Sequence, residues 1–336
     1  PVSRLSNTDE YTYIIPTGYG YGFNSVWNNV RYSYSYNNST NTLTYYYINP
    51  NSNLLDPFTP ITLGSDVQNA NRDAGIAIWG NVADTMLKYY LFAANGAYDY
   101  QAGLSGTNNN LNAKGNLKYG IRVEFTPTML GYKNSSGFVD QDTFLGALNN
   151  LTIGLGYEQQ KVDCNNNNGT MYPTLCGNAS SLTPKYYTID ANWQQKFGDF
   201  VPEVQLGWAE KKDIAEVNNN PNVKSDGYYV QLAGLYDQVV GLGKPELAFR
   251  WEESSVKNLL YGTNPQNGKP MYYGTGKIDR YSIFVNYYIA GEAAKVSLGA
   301  DIVNPNGNLK NYYNPTGKGT SLKNFTDWTL ALQTEF

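Results

Sequence analysis

The last residues of the chain, Thr326-Asp327-Trp328-Thr329-Leu330-Ala331-Leu332-Gln333-Thr334-Glu335-Phe336, alternate in polarity with a period of two. In a β-strand successive side chains point to opposite faces. Trp328, Leu330, Leu332 and Phe336 therefore share one face with Thr334, and Thr329, Ala331, Gln333 and Glu335 share the other. An aromatic at each end of an aliphatic middle suits a strand that crosses a bilayer, where aromatic rings sit at the two interfaces. The edge strand of a soluble sandwich can alternate as cleanly, so the rest of the chain has to decide.

The same pattern recurs upstream. From Asp73 to Asn81, Ile76 and Ile78 face one way, and Val82-Ala83-Asp84-Thr85 is a short turn. Leu87, Tyr89, Leu91 and Ala93 then alternate with Lys88, Tyr90 and Phe92; Tyr119, Ile121, Val123 and Phe125 with Lys118, Arg122 and Glu124; Leu151, Ile153, Leu155 and Tyr157 with Thr152, Gly154, Gly156 and Glu158. Glycines on the polar face suit a place where a loop or plug packs close to the wall. Further strands carry Tyr187 to Trp193, Val204 to Trp208, Tyr228 to Tyr236, Leu247 to Trp251, Tyr281 to Ile289 and Val296 to Ile302 on their apolar faces. The connections alternate short and long. Gly198-Asp199, Val239 to Gly243 and Ala290 to Ala294 are tight, whereas 95–117, 212–225, 254–276 and 304–326 are long. The connection 128–150 is the exception, a longish segment on the short side. About eleven strands can be counted between Asp73 and Phe336.

Composition narrows the chemistry. No apolar run approaches the roughly 18 residues of a transmembrane helix, a test that says nothing about strands, of which only every second residue would face lipid. The chain has no histidine, which excludes Ser-His-Asp and Cys-His mechanisms and removes the commonest transition-metal ligand. No catalytic residue, metal site or cofactor is expected. A net charge of −4 argues against nucleic acid as a partner, because phosphate binding needs clustered Lys and Arg. The two cysteines, Cys164 and Cys176, lie in one Asn-rich segment; a disulfide is the expected state, implying an oxidising compartment.

The expected organisation is an all-β, antiparallel transmembrane barrel. Residues 73–336 supply wall strands and outside loops; residues 1–72 supply a strand end and a long loop or hairpin that lies mostly outside or in the lumen. Within that segment Arg31 to Tyr36 and Thr42 to Ile48 read as a hairpin around Asn37-Asn38-Ser39-Thr40. The polar faces nominate Lys88, Lys118, Arg122, Glu124, Glu158, Asp190, Glu246, Arg250, Arg280, Lys295 and Asp301 as pore-lining, with Lys196, Lys211, Glu203, Asp237, Glu252 and Glu335 beside them. Arg122 and Arg280, mid-strand on that face, are the favoured anion contacts. Opposite signs are so evenly mixed that weak ion selectivity is expected, and cross-lumen ion pairing is an alternative role for each of these charges.

Several stretches resemble the phosphate-selective porin O and P family of bacterial outer-membrane barrels. They are Pro1 to Leu5 (PVSRL), Arg72 to Gly80 (RDAGIAIWG), Leu87 to Gly96 (LKYYLFAANG), Tyr119 to Pro127 (YGIRVEFTP) and Phe144 to Gly156. A terminal Phe likewise resembles the closing strand of such barrels, where it acts as an assembly signal. The resemblance implies a sixteen-stranded homotrimeric porin in the outer membrane, in contact with lipid and lipopolysaccharide, with its third outside loop, here part of residues 6–71, folded into the lumen as the constriction. It does not supply a matching ladder of arginines. A passive pore for small hydrophilic solutes or ions, including phosphate, is the expected function; a barrel-anchored structural or adhesive surface protein is the alternative. Because eleven is odd and bacterial single-chain barrels have even strand numbers, closure is expected to need strands preceding Pro1, so neither Asp73 to Asn81 nor the hairpin 25–48 should close onto Trp328 to Phe336.

Overall fold

The computed structural model describes residues 31–37, 42–47, 75–94, 100–101, 110–111, 116–137, 143–163, 181–215, 223–263, 270–291, 293–307 and 324–334. Cys164, Cys176, Glu335 and Phe336 lie outside them, as does most of the expected N-terminal constriction segment. The described part is all-β, with no α-helix long and apolar enough to cross a membrane among those residues.

In chain order, β1 (Arg31–Asn37) and β2 (Thr42–Tyr47) form an antiparallel hairpin, as the sequence pattern predicts. Then come β3 (Gly75–Val82), β4 (Leu87–Ala94), the short pair β5 (Tyr100–Gln101) and β6 (Asn110–Leu111), and β7 (Lys118–Phe125). After a single 3-10 turn at Thr128–Leu130 follow β8 (Asn150–Gln160), a second short pair β9 (Val162–Asp163) and β10 (Ser181–Leu182), and β11 (Lys185–Gln194). The chain continues through β12 (Phe200–Ala215), β13 (Val223–Tyr236), β14 (Lys244–Thr263), β15 (Pro270–Tyr288), β16 (Ala294–Gly307) and β17 (Phe325–Thr334).

Eleven of these strands make one antiparallel sheet, ordered β17-β16-β15-β14-β13-β12-β11-β8-β7-β4-β3. Sequential strands are spatial neighbours throughout, because each tight turn returns the chain beside itself. The turn between β11 and β12 shows why. Phe197 and Phe200 exchange both backbone bonds, at 2.8 and 3.0 Å, across Gly198 and Asp199. Gly198 has φ +61°, the geometry of a two-residue hairpin with glycine first, whose twist matches the strands it joins.

The strands on the long-connection side run further than alternation predicts. Segment 254–276, read as a loop, is mostly strand: β14 and β15 stay paired up to Thr263↔Pro270. β12 and β13 likewise shorten the expected loop 212–225, pairing up to Ala215↔Val223. The polarity of the two faces also separates cleanly along the shared core of the sheet. Ile121, Leu155, Ile189, Leu206, Leu232, Phe249, Ile283, Leu298 and Leu330 are exposed on one face. Trp328 at 79% and Leu332 at 72% exposure show how open that face is at β17.

Register places aromatic residues along both margins of the exposed face. Tyr157 pairs with Tyr187, Ile189 with Trp208, Trp208 with Tyr228, Val230 with Trp251, and Trp251 with Tyr281. One aromatic thus stands on each of β8, β11, β12, β13, β14 and β15 within a step of its neighbour. Tyr157 and Tyr187 lie 5.1 Å apart between ring centroids, and Tyr228 meets Trp251 edge-on at 5.3 Å. Toward the short turns Phe125, Trp193, Phe200, Tyr236 and Tyr287 form the opposite margin. Beyond the first row the same face turns polar: Lys212 pairs with Glu210, Lys257 with Asp226 and Lys277 with Glu253.

β3 and β17 are the sheet edges. Among the described residues β17 pairs with β16 alone and β3 with β4 alone. Neither β3 nor the β1–β2 hairpin closes onto β17. In an eleven-stranded antiparallel sheet the two edge strands run in the same direction, so all-antiparallel closure requires an odd number of further strands between them.

Candidate functional site

The opposite face of the sheet carries the charge, and it is buried. All eleven nominated residues point to this side: Lys88, Lys118, Arg122, Glu124, Glu158, Asp190, Glu246, Arg250, Arg280, Lys295 and Asp301 are each at most 4% exposed. A buried ion is tolerated only when paired and hydrogen-bonded, and the three arginines are each paired with carboxylates of the wall.

Arg122 is the centre of the first cluster. Its guanidinium binds Asp190 bidentately, at 2.7 and 2.8 Å, and its Nε donates to Glu124 at 2.8 Å. Asp190 is two strands away, across β8. Gly154 makes the reach possible: a Cβ there would lie 2.2 Å from the Arg122 guanidinium. Asn134 donates to Glu124 at 3.3 Å, and Lys118 pairs with Glu158 at 3.3 Å on the same strands.

The second cluster spans β13 to β16. Arg250 stacks on the Tyr229 ring at 3.9 Å and pairs with Glu252 at 2.8 Å. Arg280 donates to Asp301 at 2.9 Å, and Ser282 donates to the same carboxylate. Asn286 at 2.7 Å and the Tyr288 hydroxyl at 3.1 Å donate to Glu246. Lys88 and Lys295 lie 5.7 and 5.5 Å from the ring centres of Tyr90 and Tyr288. Arg122 and Arg280, the favoured anion contacts, are therefore each held by carboxylates of the wall itself.

Glycines on this face act as sockets for neighbouring strands. A Cβ on Gly120 would meet the Phe92 ring at 2.0 Å, one on Gly207 the Tyr229 ring at 2.2 Å, and one on Gly299 the Phe284 ring at 2.5 Å. In each case the ring belongs to the residue directly opposite in register. At these positions cross-strand rings fill the space beside the glycines. Covering a glycine with an aromatic ring restores the packing that the missing side chain forfeits.

Toward the short turns the face becomes apolar, which the alternation pattern did not indicate. Ala233, Ala248 and Phe284 form one buried cluster, and Val201, Leu235 and Tyr288 another. Leu145, from the connection between β7 and β8, packs on the second. Below it Asp237 accepts from Lys196 and, at 2.5 Å, from Lys244. Burial pushes the Asp237 carboxyl up, but the two ammonium groups outweigh it and hold it below the ordinary carboxylate value.

No family model matches the chain, and no curated protein is found similar to it. The reading of the site therefore rests on its geometry. Among the described residues no cluster of three or more metal-ligating side chains occurs. The charged part of this face holds ion pairs of mixed sign, some within a strand and some across strands.

Proposed function

We propose that this chain is a transmembrane β-barrel of a bacterial outer membrane and conducts small hydrophilic solutes or ions along its charged inner face. The observation that carries the reading is the inverted polarity of the sheet. A contiguous apolar face stays exposed while the charged face is shielded; in water an apolar patch of that extent drives association. Between hydrocarbon and a polar interior it is the stable arrangement.

The dimensions agree with this reading. Tyr228 and Tyr236 bound the apolar face of β13, and eight residues of strand span roughly 26 Å. A tilt of about 40° brings that to ~20 Å, near the height of the apolar band of such barrels. The charged pairs beyond the upper aromatic row then fall in the headgroup region.

In this reading the barrel contacts lipid and lipopolysaccharide, assembles as a homotrimer, and performs no enzymatic step. Selectivity is weak, because arginines and lysines of the inner face stand against carboxylates and create no long field of one sign. Phosphate passes as one small anion among others.

A second reading, a barrel that anchors a structural or adhesive surface protein, is favoured by the depth to which the inner face is buried. Planar-bilayer recording in a salt gradient separates the two. The pore gives discrete ohmic steps with a reversal potential close to zero; an anchor gives no steps.

A further inference from the structure

The connection between β7 and β8 departs from the other short turns in both length and placement. Its residues 126–137 and 143–149 are described, and together they touch strands along nearly the whole sheet. At one end Asn81 of β3 donates to the Ser136 carbonyl at 2.9 Å. Near the middle Asn134 donates to Glu124 of β7, and Asn150 of β8 donates to the Lys133 carbonyl at 2.7 Å. The Lys133 amide closes a neck onto the Asn149 carbonyl at 2.9 Å.

At the other end the segment is wedged against the inner face. Thr143 donates to Glu203 of β12, and the Phe144 amide donates to Gln194 of β11 at 2.8 Å. Leu145 packs on Val201 of β12, Leu235 of β13 and Tyr288 of β15. A Cβ on Gly291, in the β15–β16 turn, would lie 3.8 Å from its side chain. The described residues of the connection thus contact β3 at Ser136 and the β15–β16 turn at Leu145.

Its backbone is strained where it is wedged. Leu145 has φ +48° and Gly146 φ +80°. A left-handed residue that is not glycine persists only when its surroundings over-determine it, and such positions gather at functional elements. Here the left-handed residue is Leu145 itself, whose side chain packs on the apolar cluster. A two-residue hairpin between β7 and β8, like the one between β11 and β12, would not need the length.

We propose that residues 143–149 of this connection form a crossbar at the short-turn end of the inner face, and that they set the size limit for solutes leaving that face. The inference rests on the pore reading and adds where the flux is limited: at the crossbar seated on Val201, Leu235 and Tyr288.

The test combines conductance with trapping. Leu145→Gly removes the wedging side chain while relieving the left-handed strain, so it retains a foldable chain; Phe144→Ser/Leu145→Gly loosens the seat further. Leu242→Ser, on the exposed neighbouring turn, is the control. The expected result is a unitary conductance at least about twofold higher in the two crossbar variants and unchanged in the control. In parallel, Leu145→Cys/Leu235→Cys, in a background with Cys164→Ser and Cys176→Ser, is treated with a short bis-thiosulfonate reagent. Bridging is expected to hold conductance at the wild-type level or below, even with Phe144→Ser present, and reduction to release it. A conducting wild type whose crossbar variants conduct identically overturns the proposal, and so does failure of the cysteine pair to bridge. If the wild type is silent and the variants conduct, the crossbar is a complete closure and the proposal stands. Silence in wild type and variants alike, with efficient bridging, overturns the flux-limiting role and the pore reading together. Conductance in all of them without bridging overturns the crossbar alone.

Discussion

Replacing Asp190 by alanine measures how dry the charged face is. The Arg122 guanidinium is fully buried and Asp190 2% exposed, joined by two bonds of 2.7 and 2.8 Å. Removing one partner of a buried pair costs about 3–5 kcal/mol, mostly as the penalty for the stranded charge. Glu124 still holds the Nε side of the guanidinium at 2.8 Å, which places the expectation at the low end, ~3 kcal/mol. If water reached Arg122 freely, the same change would cost under about 1 kcal/mol, as at exposed pairs. Urea unfolding of refolded protein in a fixed lipid or detergent, followed by tryptophan fluorescence, gives the difference between wild type and Asp190→Ala. The double variant Arg122→Gln/Asp190→Asn keeps polar groups of similar shape without the charges, and recovers more than half of the loss. A loss below 1 kcal/mol for Asp190→Ala, or a double variant no better than the single, refutes the burial argument.

Three further outcomes follow from particular contacts. Gly207→Val forces a branched side chain into the place of the Tyr229 ring, whose nearest atom is 2.2 Å from a Cβ there; overpacking costs about 1–3 kcal/mol, and adding Tyr229→Ala restores most of it in the same unfolding assay. The Asp237 carboxyl is held below its ordinary value, so its contribution to stability is complete above the unfolded pKa, near about 4, and is lost as pH falls through the lower folded value. Asp237→Asn therefore flattens the acid limb of stability against pH below about 4, read from unfolding midpoints across a pH series. Leu232→Arg, mid-band on the apolar face of β13, costs about 2–4 kcal/mol in a bilayer, whereas a surface substitution in water stays within about 0.5 kcal/mol.

The strand count and the face of each strand were legible because a single buried face imposes a period of two, and Lys118, Arg122 and Glu124 break into Tyr119, Ile121 and Val123 without ambiguity. The extent of β14 and β15 was not. Through Glu253-Ser254-Ser255 and Lys277 to Arg280 both faces carry polar residues, so alternation disappears although the ladder continues to Thr263↔Pro270. Phe284 and Tyr288 were hidden for the opposite reason. They sit between Ile283, Val285 and Tyr287, and an apolar residue on the charged side blurs the pattern that would assign it. The nominated charges all share the inner face, but their pairing was not legible: Arg122 meets Asp190 by reaching over Gly154, a contact between residues 68 apart in sequence. The Leu145 wedge had one signal, the unusual length of the connection on the short side.

The central claim is that the exposed face of the sheet meets hydrocarbon. Spin labels placed one at a time from Tyr228 to Tyr236 on β13, in protein reconstituted into bilayers with Cys164→Ser and Cys176→Ser, report it residue by residue. The account predicts that Val230, Leu232 and Gly234 are accessible to oxygen and shielded from a water-soluble nickel chelate, most strongly at Leu232, while Tyr229, Gln231 and Ala233 are shielded from oxygen. High nickel accessibility at Leu232, with no alternation between the two faces, would contradict it.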